Sequence, residues 1–150
     1  MSKLLLEGGD DHAEAAGKHL VDALTLEAAG RSDGAAYLAG YVVESSLKSL
    51  LLLDMGLAAG EKAAKKLGHR LGDLSNAALA LATLPTGKTA RYIPKQTAGH
   101  SLYDPSNGWR ETLRYRAPGT ISPTTAKDWL IEAKAVYDST IVPMRLDGVI

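Results

Sequence analysis

Apolar residues recur three and four apart along most of the chain, and runs of β-branched residues are few, which favours helix. In residues 9–30, GDDHAEAAGKHLVDALTLEAAG, the positions Ala16, Leu20, Ala23 and Leu24 follow helical spacing. Asp10 or Asp11 is placed to cap the start, because a short acidic side chain accepts a bond from an orphan backbone N–H. Gly30 is placed to end the helix in a left-handed C-cap. Residues 32–56 form a second helix, starting at Ser32 or Asp33 and stopping at Gly56. Leu38, Tyr41, Val42, Ser45 and Leu52 fall on one broad face, and Val43, Leu47, Leu50, Leu51 and Met55 widen it. A helix this apolar around its girth is central, or it meets both a core and a partner.

Further along, residues 61–67 predict a short helix, 68–69 a joint, and 70–83 another helix with Leu71, Leu74, Ala78 and Leu81 facing inward. Gly68 and Gly72 weaken helix there by about 1 kcal/mol each relative to alanine. Residues 84–105 contain three prolines and two glycines and read as a long loop. Asp104 followed by Pro105 predicts a helix over about 105–116, with Trp109 and Leu113 one turn apart. Ser122 and Pro123 repeat that start for a last helix to about 141, striped by Ala126, Trp129, Leu130, Ala133, Val136 and Tyr137. Pro143 is expected to end it, leaving a frayed or loosely docked tail. The pattern predicts an all-α protein, an up-and-down bundle of four long helices plus one or two short ones. Residues 1–150 read as a single domain, with its core at about 10–141, a long basic loop at 84–105 and a tail at 142–150.

Composition narrows the chemistry. The chain has no cysteine, which excludes a thiol nucleophile and a cysteine-ligated zinc. The apolar run Leu4–Leu6 is too short for a signal peptide, and no stretch approaches the ~20 apolar residues of a membrane span. A cytoplasmic protein with no membrane contact is the expectation. Net charge is zero, but residues 1–60 hold nine acids and four bases, whereas residues 84–122 hold six bases and two acids. That basic segment is either a local anion site or the counterpart of an acidic surface. There is no phosphate-binding glycine loop, no dinucleotide fingerprint, no H-E-x-x-H and no G-x-S-x-G elbow. The histidines are scattered; His12 and His19 share a helix face but stand two turns apart, too far to share a metal directly. No metal and no cofactor are expected.

What remains is a constellation. Glu44 and Lys48 are spaced for an ion pair along the second helix, with the glutamate N-terminal, the favourable order. His69 and Arg70 sit together in the glycine-flanked LGHRLGDL. Arg110, Arg114 and Arg116 lie in WRETLRYRAP, the first two on one face of the expected helix. Arginine forks match phosphate oxygens, and Tyr115 and Trp109 offer rings for a base to stack on. The competing reading puts Trp109 and Leu113 in the core and the arginines on a solvated face.

AAYLAGYVVESSLKSLLL, then GHRLGDL, then RYRAPG together resemble the HEPN family, the higher eukaryote and prokaryote nucleotide-binding domain. The matching features are Tyr37, Glu44 with Lys48, Gly68–His69 with Leu71, and Arg114–Tyr115, across roughly residues 10–140. The resemblance implies a helical bundle that usually forms a homodimer. Many relatives bind RNA or are metal-independent ribonucleases; some partner a nucleotidyltransferase in toxin–antitoxin pairs, and others act in defence. Catalytic relatives carry Arg-x(4–6)-His, and this chain does not: eight residues separate Arg91 from His100, and no arginine stands four to six residues before any histidine. The expectation is a non-catalytic module that binds RNA or nucleotide through Arg70, Arg110, Arg114 and Arg116. A polar cluster of Glu44, Lys48 and His69 would fix the turn at the glycine joint. One alternative is a metal-independent ribonuclease in which His69 or His100 moves the proton. The other is a purely structural dimerisation protein.

Overall fold

The Asp11 carboxylate accepts a hydrogen bond from the Glu14 N–H and starts helix α1, His12–Ala28. Its inward stripe is thin: Ala13, Ala16, Leu20 and Ala23 are buried. Alanines there let α1 lie close to its neighbours. A short turn through Gly30 brings the chain back as α2, Ser32–Met55. From Ala35 to Leu52 every α2 residue is buried except Tyr37, Leu38 and Tyr41, which are half-buried. The apolar girth read from the sequence therefore belongs to a central helix. The expectation that no stretch approaches a membrane span is corrected here. By length and hydropathy α2 is long enough to cross one, though 78% of its most apolar window is buried inside the protein.

The computed structural model describes residues 1–84, 87–94 and 101–150, and among these the protein is all-α with no strand. Helices α1 and α5 (Pro123–Leu146) pack against α2, and the two shorter helices α3 (Leu57–Leu67) and α4 (Leu71–Leu81) cover another part of it. Helix α3 starts one turn earlier than the pattern predicts. Gly60 makes the contact possible, since a β-carbon there would stand 2.7 Å from the Leu52 Cα. The joint to α4 turns at Gly68 with φ +62°, a left-handed conformation that glycine adopts at little cost.

Two expected helix boundaries are corrected. No α-helix forms over 105–116. The Asp104 carboxylate accepts from the Ser106 and Asn107 N–H groups and closes a turn instead. Gly108 then folds back on Asp104, and Trp109 N–H bonds the Leu102 carbonyl. Only a short 3-10 turn, Glu111–Tyr115, follows, so Arg110 and Arg114 do not share a helix face. The helix start read from Asp104 and Pro105 does not open a helix; the Asp104 side chain closes a turn and Trp109 beyond it is buried. At the other end Pro143 does not terminate α5, which continues to Leu146. An internal proline costs about 3 kcal/mol. Burial of Ile141 and Met144, with Val149 and Ile150 packed against the core, opposes that cost. The tail is thus docked, and Leu4 and Leu6 add a small cluster with Leu52, so the core extends beyond residues 10–141 at both ends.

Candidate anion-binding cleft and the Glu44 polar cluster

Glu44 and Lys48 lie one turn apart on α2, and the Lys48 ammonium is 2.7 Å from Glu44 Oε1. Both side chains are about nine-tenths buried. His69, at the α3–α4 joint, places Nδ1 2.8 Å from the other carboxylate oxygen of Glu44. The carboxylate is therefore held on both oxygens, and the joint is tied to the central helix. His12 and His19 approach the same region from α1. Burial pushes both below the ordinary histidine range, with the charge of Lys48 beside the first and Lys18 beside the second acting in the same direction.

An aromatic wall stands on one side of this cluster. Tyr41 meets Trp109 edge-on with centroids 5.0 Å apart, His69 edge-on at 6.0 Å and Tyr37 edge-on at 5.1 Å. The Tyr37 and Tyr41 hydroxyls are 3.1 Å apart. Trp109 is buried, as the core reading expects, and its indole N–H donates to the Tyr37 carbonyl at 2.9 Å. It has no free face on which a base could stack. Burial and the neighbouring Tyr37 hydroxyl raise the Tyr41 pKa far above that of a free phenol, so Tyr41 stays neutral.

The arginines divide between two clefts. Arg114 and Arg116 line one of about 760 Å3 at the starts of α2 and α5, together with Arg31, Tyr37 and Asp33. Asp33 is the single carboxylate among the described lining residues. It is already engaged, accepting from the Gly119 N–H at 2.6 Å and the Ile121 N–H at 2.9 Å, and these bonds hold its pKa below the usual carboxylate value. The first turn of α2 has no side-chain cap, so its backbone dipole adds positive potential there. Arg114 stacks on the ring of exposed Tyr115 at 4.8 Å.

Arg70 and Arg110 line a different cleft, of about 430 Å3, with His69 and Trp109. Asp73, Asp104 and Glu111 line it too, so three carboxylates face its two arginines. Arg70 pairs with Asp73 at 3.0 Å and donates to the Leu67 and Lys66 carbonyls, while Arg110 donates to the Pro105 carbonyl. Arg91, also in the basic segment, is spent on Asp147 at 3.0 Å. His100 lies outside the described residues.

Sequence reasoning missed that Arg31, Asp33 and Tyr37 line this cleft. One signal was present: Arg31 is among only four bases in the acidic first sixty residues, and it sits in the turn between two helices. No family model, curated protein or solved structure gives a significant match to this chain.

Proposed function

We propose that this protein is a non-catalytic, HEPN-like up-and-down helical module that binds RNA or a nucleotide through phosphate contacts in the cleft at the starts of α2 and α5. One observation carries the reading. Arg31, Arg114 and Arg116 converge on a single cleft whose one carboxylate, among the described lining residues, is tied to the backbone. Three guanidinium forks with little opposing charge suit phosphate oxygens. The exposed Tyr115 ring beside Arg114 offers a surface for an unpaired base. The order of the Tyr37, Glu44–Lys48, Gly68–His69 and Arg114–Tyr115 features, which resembles HEPN proteins, supports the same reading. It carries with it a cytoplasmic homodimer, and a nucleotidyltransferase of a toxin–antitoxin or defence pair, as the proposed partners. Arg70 and Arg110 are left out of the site because Arg70 is paired with Asp73 and three carboxylates line the cleft they share.

The test is fluorescence anisotropy with a labelled single-stranded oligouridylate, in EDTA, across a salt series. Binding should weaken steeply as salt rises. Arg31→Ala, Arg114→Ala and Arg116→Ala should each weaken it, and Arg70→Ala and Arg110→Ala should not. Absence of binding at the lowest salt sinks the RNA reading, and UTP titrated in the same format then decides the nucleotide one. A denaturing gel of the recovered RNA should show it intact; fragments lost in His69→Ala protein would replace the binding module with the ribonuclease.

A further inference from the structure

Arg31, Arg114 and Arg116 differ from Arg70, Arg91 and Arg145 in what they face. The latter three pair with Asp73, Asp147 and Glu14, at 3.0, 3.0 and 3.1 Å. Among the described residues, none of the three arginines of the larger cleft is ion-paired with a carboxylate. Their backbones are nevertheless held. The Arg31 N–H donates to the Leu26 carbonyl at 2.8 Å and the Arg116 N–H to the Leu113 carbonyl at 3.0 Å. Asp33 accepts from the Gly119 and Ile121 N–H groups, so it fastens the segment that carries Arg31 to the segment that follows Arg116. Three guanidiniums and this one carboxylate leave two positive charges uncompensated among the described lining residues.

We infer that this cleft is built for a phosphate monoester, the terminal phosphate of an RNA strand or of a nucleotide, and not for the phosphodiesters along a strand. The inference rests on the RNA-or-nucleotide reading above and names the ligand group that the site prefers. Charge and oxygen count decide between the two kinds of phosphate. A monoester carries about −1.5 to −2 charges at pH 7, which matches the uncompensated charge of the cleft; a phosphodiester carries one. A monoester also presents three terminal oxygens, one for each guanidinium fork, whereas a phosphodiester has two free oxygens and leaves a fork unused. The exposed Tyr115 ring beside Arg114 remains for the terminal base.

Such a site leaves a signature that a general cationic surface does not. A general surface responds to every phosphate of a strand alike, so one more at the end changes little. A monoester site responds to the end of the strand, and that response disappears with the arginines of the cleft.

The experiment is fluorescence anisotropy of the full-length protein with three internally labelled oligouridylates of one length, carrying a 5′-phosphate, a 3′-phosphate, or hydroxyls at both ends. One phosphorylated form should bind on the order of tenfold more tightly than the hydroxyl form, as hydrogen bonds between charged groups imply. Arg31→Ala, Arg114→Ala and Arg116→Ala should each shrink that ratio, and Arg70→Ala should leave it as in the wild type; thermal melts confirm that each variant is folded, and where one is not, the other two carry the test. Equal affinity for all three oligonucleotides overturns the inference and leaves the RNA reading in place. A preference that persists in all three cleft variants overturns it too, because the monoester is then held elsewhere. If no oligonucleotide binds, the RNA reading fails, and calorimetric titration with UMP and with uridine decides the inference by itself. Binding of UMP but not of uridine upholds it with a free nucleotide as the source of the phosphate, and binding of neither overturns it.

Discussion

Trp109 occupies the space where Gly40 has no side chain. A β-carbon on Gly40 would fall 2.0 Å from the indole ring, so the α2 backbone itself forms the bed for the tryptophan. Gly40→Ala should force the ring out or the helix away, destabilising by about 1–3 kcal/mol as overpacked cores do. The expected outcome is a lower melting temperature. In a Trp129→Phe background, which leaves Trp109 as the one tryptophan, tryptophan fluorescence should also shift to the red. An unshifted spectrum with an unchanged melt would mean that the contact is not tight.

The Glu44–Lys48 pair predicts a non-additive pattern. Glu44→Gln or Lys48→Met alone leaves a buried charge without its partner, which costs about 3–5 kcal/mol. Replacing both together should cost clearly less than the two single changes summed, because neither charge then remains. Urea unfolding of the three proteins measures this. Strict additivity would show that the two side chains do not act as a pair.

Acidification should weaken the fold through His12 and His19. Both are held below the ordinary value of 6.5, first by burial. The unfolded chain therefore takes up protons at a higher pH than the folded one. Their contribution to stability is complete above about pH 6.5 and is lost as pH falls from there toward the depressed folded values. Glu132, pushed up to about 7 by burial, acts in the opposite direction over the same window, so the urea midpoint of the wild type should fall relative to that of a protein with both histidines changed to glutamine. Equal pH dependence in the two proteins contradicts the assignment.

Asp33 ties residues 119–121 to the start of α2, across more than eighty positions of sequence. Asp33→Asn loses the charge that strengthens both bonds. Amide exchange at Gly119 and Ile121 should speed up, while exchange in the middle of α2 stays slow. Unchanged protection at those two amides would remove Asp33 as the tether. The Asp33 pKa is lowered by these bonds, so in the wild type the same tether should hold above the ordinary carboxylate pKa and slacken as pH falls through the lower folded value.

Much of the fold was legible because its signals are local. Asp11 and Ser122 cap where short polar side chains precede helical spacing. The broad apolar girth of residues 35–52, broken only by Glu44, Lys48, three serines and Gly40, pointed to a central helix or to one shared between a core and a partner. Glu44 and Lys48 had to meet, since four residues of helix place them on one side. His69 reaching Glu44 follows from a different kind of clue, a polar residue at a glycine joint next to a helix with one buried carboxylate.

The rest depended on which distant segments meet. The capping pair Asp104–Pro105 is as good a helix start as Ser122–Pro123, and only the second opens a helix. The difference is Trp109, whose burial against Gly40 and bond to the Tyr37 carbonyl outweigh local propensity. Pro143 is tolerated because Met144 and the residues after it find a core to pack against. The arginine group is decided the same way. Arg110, Arg114 and Arg116 look alike along the chain, yet Arg110 turns to a cleft richer in carboxylates, and Arg31, some eighty residues away, joins the other two. Spacing along a helix is a property of neighbouring residues, so the sequence alone determined α1, α2 and the start of α5. Which cations share a cleft is a property of long-range packing, and only the tertiary structure decided it.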